Sequence, residues 1–454
     1  MPVLVAAMGG AALAAGGWSR GPAPDPILIT HPNWVGLSGA QQGRGRVSVE
    51  EQAWLDAGVV PGEGTRWEEM TTTALLDLRR LTEPNGAVRA GAADRWSYVW
   101  PRDSAFAAVA LARAGHRVEA VQVLRFLAGL RLDREEGFEA RYHLSGAGTP
   151  DDRGRQSDGV GWALWALGGV GVLPVRSGPE ADLRALLDRC AALVLRITED
   201  GTRLPPASPD YWEMPVWRTS LGTVAPLLAG LRASERLYAS LGETAQAQRS
   251  GTAARRLARE VRQWFGPGYE RFGRHGGLDA AAAMMMPPFA PESPAVARVW
   301  AAYQHTALRP AGGLAPGTDW KQDGVSWTPE TGLVALTAAA SGRRDVAERW
   351  LDWLDNHRSP WGSLPEKVTA RGRPAGPAPL AWTASLVVLT AEELQAQPAE
   401  ELQAQPGEPG AQRGEPGAQR GEPGAQPGQL LAQPGESGSH PEAGGAAAAS
   451  VPLG

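Results

Sequence analysis

Apolar residues recur at helical spacing in a long series of segments, and strand-like alternation is scarce. The first clear helix spans 67–81 and stops at the turn signal Glu83-Pro-Asn-Gly86. The same periodicity predicts helices over 104–114, 118–130, 158–168, 180–197, 217–240 and 244–264, then over 295–306, 329–340, 344–356 and 380–395. The segments between them alternate in character. Ala114-Gly115-His116 and Ser341-Gly342-Arg343 are tight. By contrast, 83–103, 137–157, 200–216, 266–278, 308–328 and 358–379 are long and rich in Trp, Arg, Asp, Glu, Gly and Pro. Hairpins with tight turns at one end and long polar-aromatic loops at the other suggest an all-α toroid, with its long loops gathered on one functional face.

The two ends of the chain lack this pattern. Residues 1–65 read as an irregular lead-in. Within it Pro2 to Gly17 is apolar and small-residue-rich, with the length of a signal-peptide core but no positive leader ahead of it. Export is the favoured reading, a cytoplasmic protein with a small-residue tail the other. The run is too short and too rich in glycine for a membrane span. Residues 66–396 form the expected helical domain. Residues 397–454 carry a seven-residue Gly-Glu-Pro-Gly-Ala-Gln repeat from Gly407 to Pro427, without aromatics, and are expected to be a disordered tail.

Composition narrows the chemistry. A formal net charge of -5 offers no basic field for nucleic acid. Cys190, the single cysteine, excludes an intramolecular disulfide and a cysteine-built metal site. The seven histidines are scattered without ligand spacing, so no metal is expected. No Walker loop, dinucleotide fingerprint or Gly-x-Ser-x-Gly elbow is present, and no cofactor is expected. Eighteen tryptophans against 6 Phe and 6 Tyr are unusual, and indole faces suit sugar rings as well as cores.

The candidate chemistry lies in the long loops. Tyr98, Trp100, Arg102 and Asp103 crowd around Pro101, which suits the first turn of a helix. Asp103 then supports that helix start, or joins Arg102 as a forked donor and an acceptor beside aromatic rings, which is what a sugar needs. Glu213 follows Trp212 and has no sequence-adjacent cation. A tryptophan-lined, apolar site would keep it protonated, as a general acid requires. Glu366 precedes Lys367 in a polar loop and would stay ionised, as a general base must. For either glutamate alone, a helix cap or an arginine partner is the favoured reading. Gln156 and Asp158 stand at a helix start, and Arg309 opens a long loop as a binding group or a surface arginine. Trp320, Trp327 and Glu330 are further cleft candidates, with Glu330 alternatively a helix cap. Trp382 is expected to pack under the site.

These residues fall in blocks. Tyr98-Val-Trp-Pro-Arg-Asp-Ser104 resembles the Y-x-W-x-R-D signature of glycoside hydrolase family 15, the glucoamylases, glucodextranases and related bacterial trehalases. Gln156-Ser-Asp-Gly-Val-Gly161, Asp210-Tyr-Trp-Glu213 and Gly277-Leu-Asp-Ala280 with Met286-Pro287 resemble three more of its blocks. Pro365-Glu366 followed by Pro379-Leu-Ala-Trp-Thr383 resembles its general-base segment. The resemblance implies an (α/α)6 barrel and an inverting hydrolase that releases glucose from the non-reducing ends of α-glucans, α-linked oligosaccharides or trehalose. It assigns Glu213 as acid, Glu366 as base, and Trp100, Arg102 and Asp103 as the grip on the terminal glucose, with Arg309 near the same pocket. An inverting pair keeps its carboxyl groups roughly 6.5–9.5 Å apart. Met214 stands where glucoamylases often carry a second acid, Trp96 where a tyrosine is common, and Thr383 where a serine is usual. An inactive toroid that binds glycans or a protein is the competing reading. A lyase would need a Tyr/His base and a more basic cleft than these blocks show.

Overall fold

The computed structural model describes residues 27–29 and 47–397, except 177 and 179. The signal-like run 2–17 and the repeat tail lie outside the described residues.

Helices alternate between an outer and an inner ring. The outer ring consists of α2 (Glu68–Leu81), α4 (Arg117–Gly129), α6 (Ala181–Ile197), α8 (Thr244–Phe265), α9 (Pro294–Thr306) and α11 (Arg344–Asn356). The inner ring consists of α3 (Pro101–Arg113), α5 (Asp158–Val170), α7 (Leu221–Ser240), a 3-10 turn (Ala280–Met285), α10 (Thr328–Ala340) and α12 (Ala381–Ala396). Neighbouring inner elements touch all the way round, and α12 packs back on α3 to close the ring. This is an (α/α)6 barrel, as the alternating loops and the block resemblance anticipated.

Sequence explains the two rings. In α5, Asp-Gly-Val-Gly-Trp-Ala-Leu-Trp-Ala-Leu-Gly-Gly-Val, almost every side chain is buried, because the helix is apolar or small on all faces. In α11 only Ala347, Trp350, Leu351 and Leu354 are buried, at the spacing of a single inward stripe. Small residues set the closeness of the inner helices: a Cβ on Gly161 of α5 would meet the Pro226 carbonyl oxygen of α7 at 2.2 Å. The barrel axis is filled by Phe106, Trp162, Trp165, Phe289 and Trp382, whose ring centroids stand 4.8–5.9 Å apart in tilted and edge contacts. Both Trp162 and Trp165 are therefore core residues.

Three departures from the expected elements have local causes. The lead-in holds a helix, α1 (Val49–Asp56), started by a reciprocal capping box between Ser48 and Glu51. Helix α3 begins at Pro101, earlier than position 104, with Pro at its first turn and Trp100 extended ahead of it. Helix α7 begins at Leu221 and not at 217, because Ser220 is its N-cap and accepts from Thr223 N. Trp217 is left outside, 84% exposed.

The long loops carry short strands. β2 (Leu132–Asp133), β3 (Gly137–Glu139) and β4 (Arg155–Gln156) form an antiparallel sheet in the loop before α5. β5 (Ser326–Trp327), β6 (Lys367–Val368) and β7 (Pro374–Pro377) pair antiparallel, and β1 (Leu28–Ile29) adds to β7 in parallel. The second sheet ties the loop before α10 to the loop before α12.

Candidate active site

The long loops and the N-termini of the inner helices enclose one cavity of about 590 Å³, within the usual size of a small-molecule site. Trp100, Arg102, Asp103, Trp212, Glu213, Glu366 and Trp382 all line it, although they come from four separate stretches of chain. Trp96, Tyr211, Trp320, Trp327, Glu330 and Lys367 join them.

Glu213 sits on a fixed turn. Its amide donates to the Asp210 carbonyl at 2.8 Å, and the Trp212 amide donates to Asp210 Oδ1 at 3.0 Å. Asp210 is wholly buried and receives Ser220 Oγ at 2.6 Å and Arg271 Nη2 at 2.7 Å. The Arg271 guanidinium also stacks 3.5 Å over Trp212. This scaffold holds Glu213 at φ 53°, a left-handed conformation that costs a non-glycine residue on the order of 1 kcal/mol. The carboxylate itself receives Trp100 Nε1 on Oε1 and Arg153 Nη1 on Oε2, with Arg102 Nη2 3.9 Å away. The expected apolar surrounding is therefore corrected to a cationic one. Arg153 approaches from the loop between β3 and β4, sixty positions earlier in the chain.

Glu366 stands at the start of β6. Its backbone is fixed by Glu366 N to the Pro377 carbonyl at 2.9 Å and by Thr328 N to the Glu366 carbonyl at 3.1 Å. Trp96 Nε1 donates to Oε1 at 3.2 Å, and Lys367 Nζ lies 2.7 Å from Oε2. A cation therefore stands directly beside the Glu366 carboxyl group.

Beside Glu213 the cavity has a buried charged floor. Arg102 meets Asp103 at 3.6 Å and Asp158 at 3.3 Å, and its guanidinium lies 4.9 Å over Trp382. Burial pushes Asp103 and Asp158 up to about 6 despite Arg102, and pushes Glu330 up to about 8. Glu330, in the first turn of α10, is buried, and its Oε2 has no hydrogen-bond partner in the protein. That shift favours its protonated form near neutral pH, a carboxylic acid that can donate a hydrogen bond. A helix-start role and a cleft residue were both open for it, and it does both: its carboxyl bonds backbone in the first turn of α10 and lines the cavity.

One wall is aromatic. Trp212 meets Trp320 edge-on at 4.8 Å, and Trp320 meets Trp327 at 5.4 Å. The indole N–H groups of Trp212, Trp320, Trp327 and Trp382 are buried and have no acceptor in the protein. Flat apolar indole faces, beside an arginine and carboxyl groups, fit a ligand carrying many hydroxyl groups.

Four expected binding residues do not line the cavity. Asp158 acts from behind, through Arg102. Tyr98 lies under the Arg141 guanidinium at 4.5 Å and edge-on to His143 at 5.5 Å. Gln156 is buried in β4 against Phe138 of β3. Arg309 donates to Gln322 Oε1 at 2.9 Å and to the Lys321 carbonyl at 3.3 Å, bracing the loop that carries Trp320. Arg153 was missed because Asp151-Asp152-Arg153-Gly154-Arg155 reads as a solvated charge cluster. Met214 and Trp217 are exposed just beyond Glu213.

No family model matches the chain, and no curated protein matches it by sequence. Solved structures do match. A glycosidase in complex with glucose superposes with a TM-score of 0.63 at 19% identity, over 78% of this chain and 100% of that one. A bacterial glucoamylase complexed with acarbose gives 0.63 at 17%, over 76% of this chain and 58% of that one. A family 15 glucoamylase from Hypocrea jecorina gives 0.57 at 16%, over 72% of each chain. The chain has a glucoamylase-like fold. In that glucoamylase-like barrel, the cavity lies where the long outer-to-inner loops converge.

Proposed function

We propose that this protein is an inverting, exo-acting α-glucoside hydrolase that releases glucose from non-reducing ends. The observation that carries the reading is the placement of Glu213 and Glu366 in one tryptophan-lined cavity. Glu213, which takes up a proton from solvent once Arg153 leaves its Oε2, passes that proton to the glycosidic oxygen as the bond to the anomeric carbon breaks. Glu366 takes a proton from the water that attacks that carbon from the opposite face, so the product has inverted configuration. Arg102, Asp103 and Glu330 hold the hydroxyls of the terminal sugar, and the indole wall covers its faces. α-Glucans, α-linked oligosaccharides and trehalose are the substrates this assigns. The names of the structural neighbours, glycosidases and glucoamylases, support the chemistry.

The occupied oxygens of Glu213 favour a second reading, a toroid that binds glycans without cleaving them. A panel of α-linked disaccharides and soluble starch, assayed for glucose with Glu213→Gln and Glu366→Gln as controls, separates the two. Glucose release lost in both variants supports the hydrolase. Tight glycan binding without release supports the toroid.

A further inference from the structure

The cavity is not evenly charged. Its four carboxyls are each accounted for: Asp103 by Arg102, Glu213 by Arg153, Glu366 by Lys367, and Glu330 by its protonation. Two further cations line it, Arg95 and Lys321, and both are exposed. Among the described residues neither lies within ion-pair distance of a carboxylate. Lys321 Nζ instead lies 5.2 Å over the Trp320 ring. A chain of net charge -5 thus places spare positive charge around the entrance of its cavity.

Arg153 links that entrance to the chemistry. Both oxygens of Glu213 already receive a donor, Trp100 on Oε1 and Arg153 on Oε2. A glycosidic oxygen approaching Glu213 competes with one of them for the carboxyl group. Trp100 is 6% exposed and fixed at a helix start, whereas the Arg153 side chain is 39% exposed on a loop. Arg153 is the donor that yields. Its other partner, Asp151, is also shared with Arg141.

Resting on the glucosidase reading, we propose that, among α-glucosides, the protein prefers those whose leaving group is acidic. That group's carboxylate or phosphate-like oxygens draw Arg153 off Glu213 and settle between Arg95, Arg153 and Lys321, where guanidinium forks and an ammonium suit such groups. The anion then both anchors the substrate and clears the oxygen that meets the glycosidic bond.

The test uses three α-glucosides with aliphatic leaving groups of matched length: 4-hydroxybutanoate, 3-hydroxypropylphosphonate and the neutral 4-hydroxybutanamide. With the whole chain at low salt, kcat/KM for at least one acidic probe is expected to exceed that of the amide by about tenfold or more. The ratio is expected to fall to within about twofold in 0.5 M NaCl and in the double variant Arg95→Ala/Lys321→Ala. The better acidic probe identifies the kind of anion. Glucose release at equal rates from all three, or faster from the amide, overturns this proposal and leaves the glucosidase reading intact. If no probe releases glucose, the glucosidase reading fails, and tryptophan fluorescence titration of Glu213→Gln decides the anion site. Binding of an acidic probe about tenfold tighter than the amide supports the site, and equal binding overturns it.

Discussion

Gly376 lies directly against Glu366: a Cβ at that position would stand 2.9 Å from Oε2 and 3.1 Å from the Glu366 Cβ. Gly376 also has φ 71°, where a side chain is strained. Gly376→Ala is therefore expected to push Glu366 aside and lower kcat on an α-glucoside by about tenfold to a hundredfold, the cost of a small misplacement. Circular dichroism should show the helical fold retained. Unchanged kcat would show that Glu366 is not the residue whose position matters.

Buried carboxyls give the fold a pH dependence of definite sign. Burial pushes Glu330 to about 8 and Asp279 to about 7, against ordinary values of 4.5 and 3.8. Between the ordinary and the raised value the folded state binds more protons than the unfolded chain, so stability falls as pH rises through that window. Each fully shifted group contributes a slope of about 1.4 kcal/mol per pH unit. Below the ordinary values this contribution to the slope vanishes. Melting temperature should fall from pH 5 to pH 8, and Glu330→Gln, a permanent mimic of the protonated form, should flatten the decline. An equal slope in wild type and variant would remove Glu330 from this role.

Arg271 answers the buried Asp210 and stacks on Trp212. Removing it leaves a wholly buried carboxylate without its cation, a loss of about 3–5 kcal/mol. Arg271→Ala is expected to lower the unfolding midpoint strongly and, where it folds, to reduce kcat by releasing the Glu213 turn. Chemical denaturation measures the first effect and glucose release the second.

Trp100→Phe keeps an aromatic ring but deletes the donor on Glu213 Oε1. Stability should change little and kcat should fall about tenfold or more, because Glu213 loses the contact that orients it. A change confined to KM would place Trp100 in sugar binding alone.

The barrel was legible because tight turns alternate with long polar-aromatic loops along the chain, and because five short blocks resemble those of a family with an (α/α)6 barrel. Trp217 misled the start of α7, since an apolar residue at helical spacing is indistinguishable in sequence from a core position, and only Ser220 and its cap bond settle the boundary. Helix α1 was overlooked for the opposite reason. It buries only Leu55 and has almost no apolar stripe, so its capping box was the sole signal. In the cavity, Trp100, Arg102, Asp103, Glu213 and Glu366 stood out as local clusters of ring and charge. Arg153 did not, because its part depends on a contact made across sixty positions. Glu330 needed burial to be known before its first-turn carboxyl could be placed at the cavity.

The stereochemistry of the first product tests the account most directly. Proton NMR during hydrolysis of an α-linked glucoside is expected to show β-glucose first, with anomeric mixing only later. Glu213→Gln and Glu366→Gln should each cut the rate by about a hundredfold or more. Initial α-glucose, or release that survives both substitutions, would contradict it.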